Sequence, residues 1–163
     1  MTDQTTRTSA GSDRGATSLA VGLLRACRPK QWAKNVLVFV APAAAGVLDT
    51  PYRIRLTLIG FAAFCLVSSA TYLLNDVLDV ESDRRHPKKR YRPIASGAVP
   101  VPVALATAAV LFVAGVGVAL LDNPQLALIV AGYVVLTTTY SMFLKAIAVI
   151  DVVVLSAGFI LRL

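Results

Sequence analysis

Long apolar runs alternate with short polar segments along most of this chain. Runs of this length with few charges are typical of helices that cross a membrane, rather than of the core of a soluble domain. The pattern predicts an all-α, multispanning transmembrane helix bundle of about five helices, at residues 35–48, 56–74, 101–121, 125–142 and 146–163. The first run is the shortest of the five.

The segment before the first run has two parts. Residues 1–18 are rich in Thr, Ser, Gly and Asp. They show no apolar period and no apolar region of a secretory signal, so they predict a disordered tail. Residues 19–28 predict a short amphipathic helix at the membrane surface, with one apolar side formed by Leu19, Leu23, Leu24 and Cys27. We therefore predict a tail, residues 1–18, and one transmembrane domain, residues 19–163.

The composition supports a membrane protein and indicates its orientation. Hydrophobic residues make up 56% of the 163 residues, and the formal net charge is +7. The cations lie beside the apolar runs, before residue 35 and in residues 84–100, so the positive-inside rule predicts that both segments are cytoplasmic. Because the basic residues form no stripe interleaved with aromatic residues, we expect no nucleic-acid partner. The two cysteines, Cys27 and Cys65, have no metal-binding spacing.

An acidic cluster follows the second run directly. The sequence from Asn75 has the pattern N-D-x-x-D-x-x-x-D, and its acids Asp76, Asp79 and Asp83 are three of only nine in the chain. If the helix continues through them, they fall within a sector of about 60° on one face. Such carboxylates repel one another unless a cation binds among them, and Mg²⁺ is bound by carboxylates together with substrate phosphates. The cluster predicts a metal-bridged phosphate or diphosphate site; the alternative is a solvated acidic helix end beside a positive loop.

Several further charged residues have both a structural and a functional interpretation. Lys34 and Lys145 lie at the cytoplasmic ends of predicted spans, where they either orient the chain or contact a bound phosphate. The loop cations either only set topology or form a lid over the phosphates of a polar donor, with Lys89, Arg90 and Arg92 as the candidates. Asp151 lies inside an apolar run, which makes it a functional candidate or a member of an interhelical hydrogen bond.

These motifs resemble those of a known family. The aspartate pattern resembles the first aspartate-rich motif of the UbiA-type intramembrane prenyltransferase superfamily. Residues 28–35, Arg-Pro-Lys-Gln-Trp-Ala-Lys-Asn, resemble the opening of the branch that contains decaprenyl-phosphate phosphoribosyltransferase, and residues 140–145 resemble the family's Tyr-x-x-x-x-Lys segment. Members have nine transmembrane helices and a second aspartate-rich motif. Because no second acidic cluster follows Asp83, we expect the chain to be an N-terminal fragment, or a split half, of a family member. Its expected partner is then a C-terminal half or a second copy of the chain.

The resemblance also implies an activity. It implies that a 5-phosphoribosyl group is transferred from phosphoribosyl diphosphate to a polyprenyl phosphate, in cell-wall arabinan synthesis at a bacterial plasma membrane. Asp76, Asp79 and Asp83 would be the catalytic, Mg²⁺-binding residues. The implied or candidate substrate contacts are Lys34, Asn75, Lys89, Arg90, Arg92, Tyr140, Lys145 and Asp151. The alternatives are prenyl transfer from a prenyl diphosphate to an aromatic acceptor, and a non-catalytic membrane fragment.

Overall fold

The computed structural model describes residues 18–144 together with residues 158 and 160. Within this part the chain is helical and contains no strand. Helix α1 covers residues 18–26, and a 3₁₀ helix, Pro29–Phe39, continues into α2, Val40–Ala44. The remaining elements are α3 (Pro51–Leu78), α4 (Val80–Arg85), a 3₁₀ turn (Lys89–Tyr91), α5 (Val101–Asp122), α6 (Pro124–Thr139) and a π-helical turn (Tyr140–Leu144).

Three of these helices are long and apolar enough to cross a membrane: Pro51–Leu78, Val101–Leu121 and Pro124–Met142. They confirm the predicted second, third and fourth spans, and with them the all-α membrane bundle. The first run differs from its prediction, because the helical segment begins at Pro29 rather than residue 35 and ends at Ala44. Residues 1–17 of the predicted tail and nearly all of the predicted fifth span lie outside the described residues, while residue 18 belongs to α1.

Helix α3 is the centre of the described bundle. In its most apolar 18-residue window 61% of the residues are buried, against 22% in α5 and in α6. Near its middle, Ala63, Phe64 and Val67 pack against α5 and α6, and the Phe64 ring meets the edge of Tyr133 at 5.4 Å between centroids. The small residues Ala63, Ser68, Ser69 and Ala70 are also buried, whereas Ala62 is exposed.

Polar side chains attach the 3₁₀ helix to α3. Trp32 Nε1 donates to Ser69 Oγ at 2.9 Å, and the buried Asn35 Nδ2 donates to Ser68 Oγ at 3.2 Å. Hydrogen bonds of this kind between helices hold membrane bundles together, because the bilayer offers these groups no water. Trp32 therefore has a packing role between the 3₁₀ helix and α3.

The segment between α4 and α5 is packed against the bundle. Ile94 and Val99 are buried at 1% and 0% exposure, in a cluster with Leu73 of α3 and Ala26 of α1. Arg84 Nε donates to the carbonyl of Ala95 at 3.2 Å, which fixes the segment to α4. Apolar anchors therefore hold this backbone at the polar end of α3.

Helix α1 lies on the same cluster. Leu19, Leu23 and Cys27 pack against it as predicted, whereas Leu24 is 59% exposed. The buried positions of α1 also include Gly22 and Ala26. A Cβ atom at Gly22 would lie 2.8 Å from Val99 Cγ2, so the helix approaches this segment more closely than a larger residue permits.

Candidate functional site

Asp76 and Arg28 form the first part of the site. Near the polar end of α3, Asp76 is 2% exposed, and its Oδ1 accepts from Arg28 Nη2 at 2.6 Å. The Arg28 guanidinium also lies over the Tyr72 ring, 4.9 Å from its centroid. An aromatic face below and a carboxylate at the edge are the surroundings that a planar guanidinium prefers.

The backbone of Arg28 has an uncommon conformation. It has φ 52° and ψ 60°, in the left-handed region, directly before Pro29. A proline disfavours the right-handed helical conformation for the residue before it, so α1 cannot continue straight into the 3₁₀ helix. The Arg28 N–H donates to Arg25 O at 3.1 Å and the Arg28 carbonyl accepts from Gln31 at 2.8 Å. This strained turn, which costs about 1–3 kcal/mol, directs the Arg28 side chain towards α3.

Asp83 and Arg92 form the second part. Asp83 is 1% exposed, and its Oδ2 accepts from Arg92 Nη1 at 2.7 Å. The same nitrogen donates to Asp76 Oδ1 at 3.2 Å. One guanidinium nitrogen therefore bridges two buried carboxylates that are seven positions apart in the sequence.

The helix does not run continuously through the acidic motif. Helix α3 ends at Leu78, and Asp79 has φ −96° and ψ 3°, outside the helical range, before α4 begins at Val80. The half-buried Asp79 lies at this junction, and helical backbone hydrogen bonds from Asp79 N–H to Asn75 O (2.9 Å) and from Asp83 N–H to Asp79 O (2.8 Å) continue across it. The motif therefore does not lie on one uninterrupted helix, and Asp76 and Asp83 meet through Arg92.

The charges of this site are nearly balanced. The Asp76 and Asp83 side chains are 3% and 1% exposed, and those of Arg28 and Arg92 are 30% and 28% exposed. Two buried anions thus face two half-buried cations. This pairing stabilises the site, because burying a carboxylate without a partner is costly. One acceptor remains: Asp83 Oδ1 is buried and has no hydrogen-bond partner among the described residues.

The donor set suits a divalent cation. Mg²⁺ in proteins takes oxygen ligands from one or two carboxylates, with waters and substrate phosphates as the others. Asp76 and Asp83 supply such oxygens, and the unpartnered Asp83 Oδ1 has the capacity for a further bond. In the part of the chain that the structure describes, no three His, Cys, Asp or Glu side chains are close enough to enclose a metal ion. The three-aspartate Mg²⁺ site stays a prediction.

The other predicted residues differ in their exposure, and no hydrogen bond or ion pair to this network is found for them among the described residues. Asn75 is half-buried beside Asp76, and Lys34 is exposed on the 3₁₀ helix. Lys89 and Arg90 are exposed, and Arg90 Nη2 donates to Tyr91 Oη at 2.6 Å rather than to an acid. Tyr140 is half-buried at the start of the π-helical turn. Lys145 and Asp151 lie outside the described residues.

The sequence reasoning missed the role of Arg28. It recognised residues 28–35 as a motif but gave the cationic contact to Lys34. The signal was the need of a buried Asp76 for a counter-ion, together with an arginine placed at the turn between two helical segments. The periodicity of either segment alone does not reveal a pair separated by 48 residues.

Comparison with known proteins gives consistent matches. A sequence profile of the UbiA prenyltransferase family matches residues 35–163. Proteins named decaprenyl-phosphate phosphoribosyltransferase are similar to the chain over 89% of its length: that of Corynebacterium glutamicum is 45% identical, that of Mycolicibacterium smegmatis 41% and that of Mycobacterium tuberculosis 43%. The aligned regions cover 45%, 47% and 49% of these relatives. The chain thus spans about half the length of the curated relatives it matches.

Proposed function

The chain belongs to the UbiA prenyltransferase family, and from this premise we propose that its Arg28–Asp76–Arg92–Asp83 network binds the donor diphosphate of an integral-membrane transferase. The observation that carries the proposal is the network itself. Two carboxylates are buried at the polar end of a membrane helix, and each accepts a hydrogen bond from a guanidinium that stays partly open to solvent. An arginine carries five N–H donors, so both guanidinium groups retain donors for phosphate oxygens.

We propose phosphoribosyl diphosphate as the donor and a polyprenyl phosphate as the acceptor. The support is the identity of 41–45% to proteins that carry the name decaprenyl-phosphate phosphoribosyltransferase. An oxygen of the lipid phosphate attacks the anomeric carbon of the ribose. The bond from that carbon to the diphosphate oxygen breaks, and pyrophosphate leaves with the electron pair. The polyprenyl product is then a precursor for cell-wall arabinan.

The residues of this chain bind and orient the reacting groups. Asp76, Asp79 and Asp83, with Asn75, would hold Mg²⁺, which when bound supplies charge neutralisation for the diphosphate. Arg28, Arg92 and Lys34 stabilise the negative charge that develops on the leaving pyrophosphate. The exposed Lys89 and Arg90 suit the 5-phosphate at the far end of the sugar.

The proposal includes an orientation in the membrane. Residues 84–92 carry six Lys or Arg beside the aspartates, so the positive-inside rule places this end of α3 in the bacterial cytoplasm, together with the N-terminus. Phosphoribosyl diphosphate is a soluble, highly charged molecule that reaches the site from that side. The polyprenyl chain would remain in the bilayer beside the helices.

A transfer assay in membranes tests the proposal. Isolated membranes that carry the intact protein receive Mg²⁺, decaprenyl phosphate and phosphoribosyl diphosphate labelled in the ribose, and the label in the lipid extract is measured. We expect lipid-bound label that falls at least tenfold with Asp83→Asn. Glu81→Gln is the matched control. It also removes one negative charge from α4, but from a side chain that pairs with Arg84 at the surface.

Two outcomes would contradict the assignment. Transfer only from a prenyl diphosphate to an aromatic acceptor would keep the family and exclude the phosphoribosyl donor. Equal labelling in Asp83→Asn and Glu81→Gln membranes would exclude the carboxylate network as the donor site.

A further inference from the structure

Arg92 occupies the position that a bridging cation would need. Its Nη1 is 2.7 Å from Asp83 Oδ2 and 3.2 Å from Asp76 Oδ1. This nitrogen has two hydrogens, and both are directed to the two carboxylates. A guanidinium and a divalent cation cannot lie between the same two oxygens at once.

The two carboxylates depend on Arg92 to different degrees. Asp76 also accepts from Arg28, so it keeps a cationic partner without Arg92. For Asp83, Arg92 is the one ion-pair partner found among the described residues. The second oxygen of Asp83 is buried and lacks a hydrogen bond within the described part of the chain. A single N–H···O bond therefore leaves this carboxylate incompletely satisfied, and a cation that accepts several oxygens would satisfy it better.

The surroundings allow the Arg92 side chain to leave without moving its backbone. Ile94 and Val99 anchor the following residues in the core, and Arg84 holds the carbonyl of Ala95. The side chain of Arg92 is 28% exposed, so its guanidinium is already in contact with solvent at the cytoplasmic end of the site. Rotation about its side-chain bonds would bring the charge to the outside of the acidic pair.

We propose that Arg92 is an exchangeable internal counter-ion: it neutralises Asp76 and Asp83 when the divalent site is empty, and a divalent cation displaces it towards the phosphates of the donor. This inference rests on the proposed function, since it takes Asp76 and Asp83 as divalent-cation ligands. Exchange keeps the buried carboxylates neutralised in both states, so neither state contains an uncompensated buried charge. It also couples the steps, because the guanidinium becomes available to the diphosphate when the cation has bound.

The proposal predicts that one substitution, the removal of the charge of Arg92, increases rather than decreases the affinity for the divalent cation. If Arg92 competes with the cation, its neutral variant should bind the cation more tightly in the absence of donor. If Arg92 only supports the site, the same variant should bind it more weakly. The probe is Mn²⁺ alone, titrated into the purified chain in nanodiscs and followed by the loss of the free-ion electron paramagnetic resonance signal.

We expect Arg92→Gln to raise the Mn²⁺ affinity about tenfold, which corresponds to about 1.4 kcal/mol. Arg85→Gln is the matched control and should leave the affinity unchanged, because Arg85 is exposed and its Nε donates to the carbonyl of Glu81. Asp83→Asn should abolish the binding. Arg92→Lys keeps a charge at this position and should stay within about threefold of the parent chain.

The outcomes separate the exchange from the proposed function. Binding that requires Asp83 but is equal or weaker in Arg92→Gln would overturn the exchange and leave the donor site intact. Absence of any Asp83-dependent Mn²⁺ binding in the parent chain and in Arg92→Gln would overturn both.

A second measurement uses the unsubstituted chain, in case Arg92→Gln does not fold. The arginine-selective reagent phenylglyoxal is applied with and without Mg²⁺, and the modified residues are located by mass spectrometry. Exchange predicts that Mg²⁺ increases the modification of Arg92 at least threefold while that of Arg85 stays constant. Constant or decreased modification of Arg92 would overturn the proposal.

Discussion

Single residues in this molecule are constrained most strongly where charge is buried. Asp76 lies in a membrane helix with almost no exposure, and Arg28 compensates it from a residue 48 positions earlier. Removal of one member of such a pair leaves the other charge without its partner, which costs more than removal of both. The contribution of Arg28 is therefore best measured together with that of Asp76.

We expect Arg28→Gln to lower the free energy of unfolding by about 2 kcal/mol, and by less than about 1 kcal/mol when Asp76→Asn is also present. Unfolding in mixed micelles can be followed by the fluorescence of Trp32, the single tryptophan of the chain, which contacts α3 through Ser69. Arg25→Gln, on the exposed side of α1, is the control and should have little effect. Equal losses in the two backgrounds would show that the pair is not coupled.

The thiol of Cys27 offers a test of burial beside the site. Cys27 is half-buried on the apolar cluster, and this burial raises the pKa of its thiol. A raised pKa means that less thiolate is present at neutral pH, so alkylation should be slow there and should increase only above the pH range of an ordinary thiol. In a Cys65→Ser background, the rate of N-ethylmaleimide labelling against pH should have a midpoint above that of the same chain unfolded in SDS. Coincident midpoints would contradict the burial of this side chain.

Packing between elements depends on the approach of α5 to α3. A Cβ atom on Gly115 would lie 2.6 Å from Val67 Cγ1 and 3.2 Å from the carbonyl of Ala63. Contacts this short do not occur between real atoms, so a methyl group at this position requires the Val67 side chain or the helices themselves to shift. Gly117, two positions later in α5, has nothing within 4 Å of its Cβ position.

Gly115→Ala should therefore destabilise the bundle by about 1–3 kcal/mol. Gly117→Ala should be neutral or slightly stabilising, because alanine has the higher helix propensity and the space is open. Thermal unfolding of both variants in the same detergent measures the difference. Similar melting temperatures for the two would show that α3 and α5 are farther apart than described.

The elements differ in how well the sequence predicts them. Helices α3, α5 and α6 follow their apolar runs closely, since burial in a membrane requires a length that the composition reveals. The first helical segment begins before its apolar run, because residues 29–35 include polar side chains that hydrogen-bond to α3. Hydrophobic periodicity does not reveal such partners. A 3₁₀ helix also rises about 2.0 Å per residue, so the 16 residues from Pro29 to Ala44 extend about 30 Å, the thickness of the hydrocarbon core.

In the site, too, the sequence predicts some features and not others. The spacing of the acids identified Asp76 and Asp83, and the density of cations identified Arg92. Pro29 indicates that α1 ends near Arg28, but it does not predict the left-handed conformation of that residue, and no comparable residue marks the interruption at Asp79. The sequence thus identified charged residues that meet in the network, whereas it did not predict how they pair.

At the scale of the whole molecule, the distribution of charge predicts a fixed orientation. The turn that joins α5 to α6 lies at the opposite end of these helices from the basic segment after α4. In a background without Cys27 and Cys65, a membrane-impermeant maleimide added to intact cells should label Gln125→Cys and should leave Lys88→Cys unlabelled. Both side chains are exposed, so burial does not explain a difference. The reverse labelling pattern would invert the proposed topology.

The order of the four charged residues along the chain has a consequence for synthesis. Arg28 precedes Asp76, so the ribosome has already produced a counter-ion when α3 enters the membrane. Arg92 follows Asp83 by nine residues, which takes about 0.5–2 s at ordinary rates of translation. During that interval Asp83 has no arginine partner at position 92, whereas Asp76 is compensated from the start. We therefore expect that the contact between the first helical segment and α3 forms early, and that the basic segment closes the acidic end afterwards.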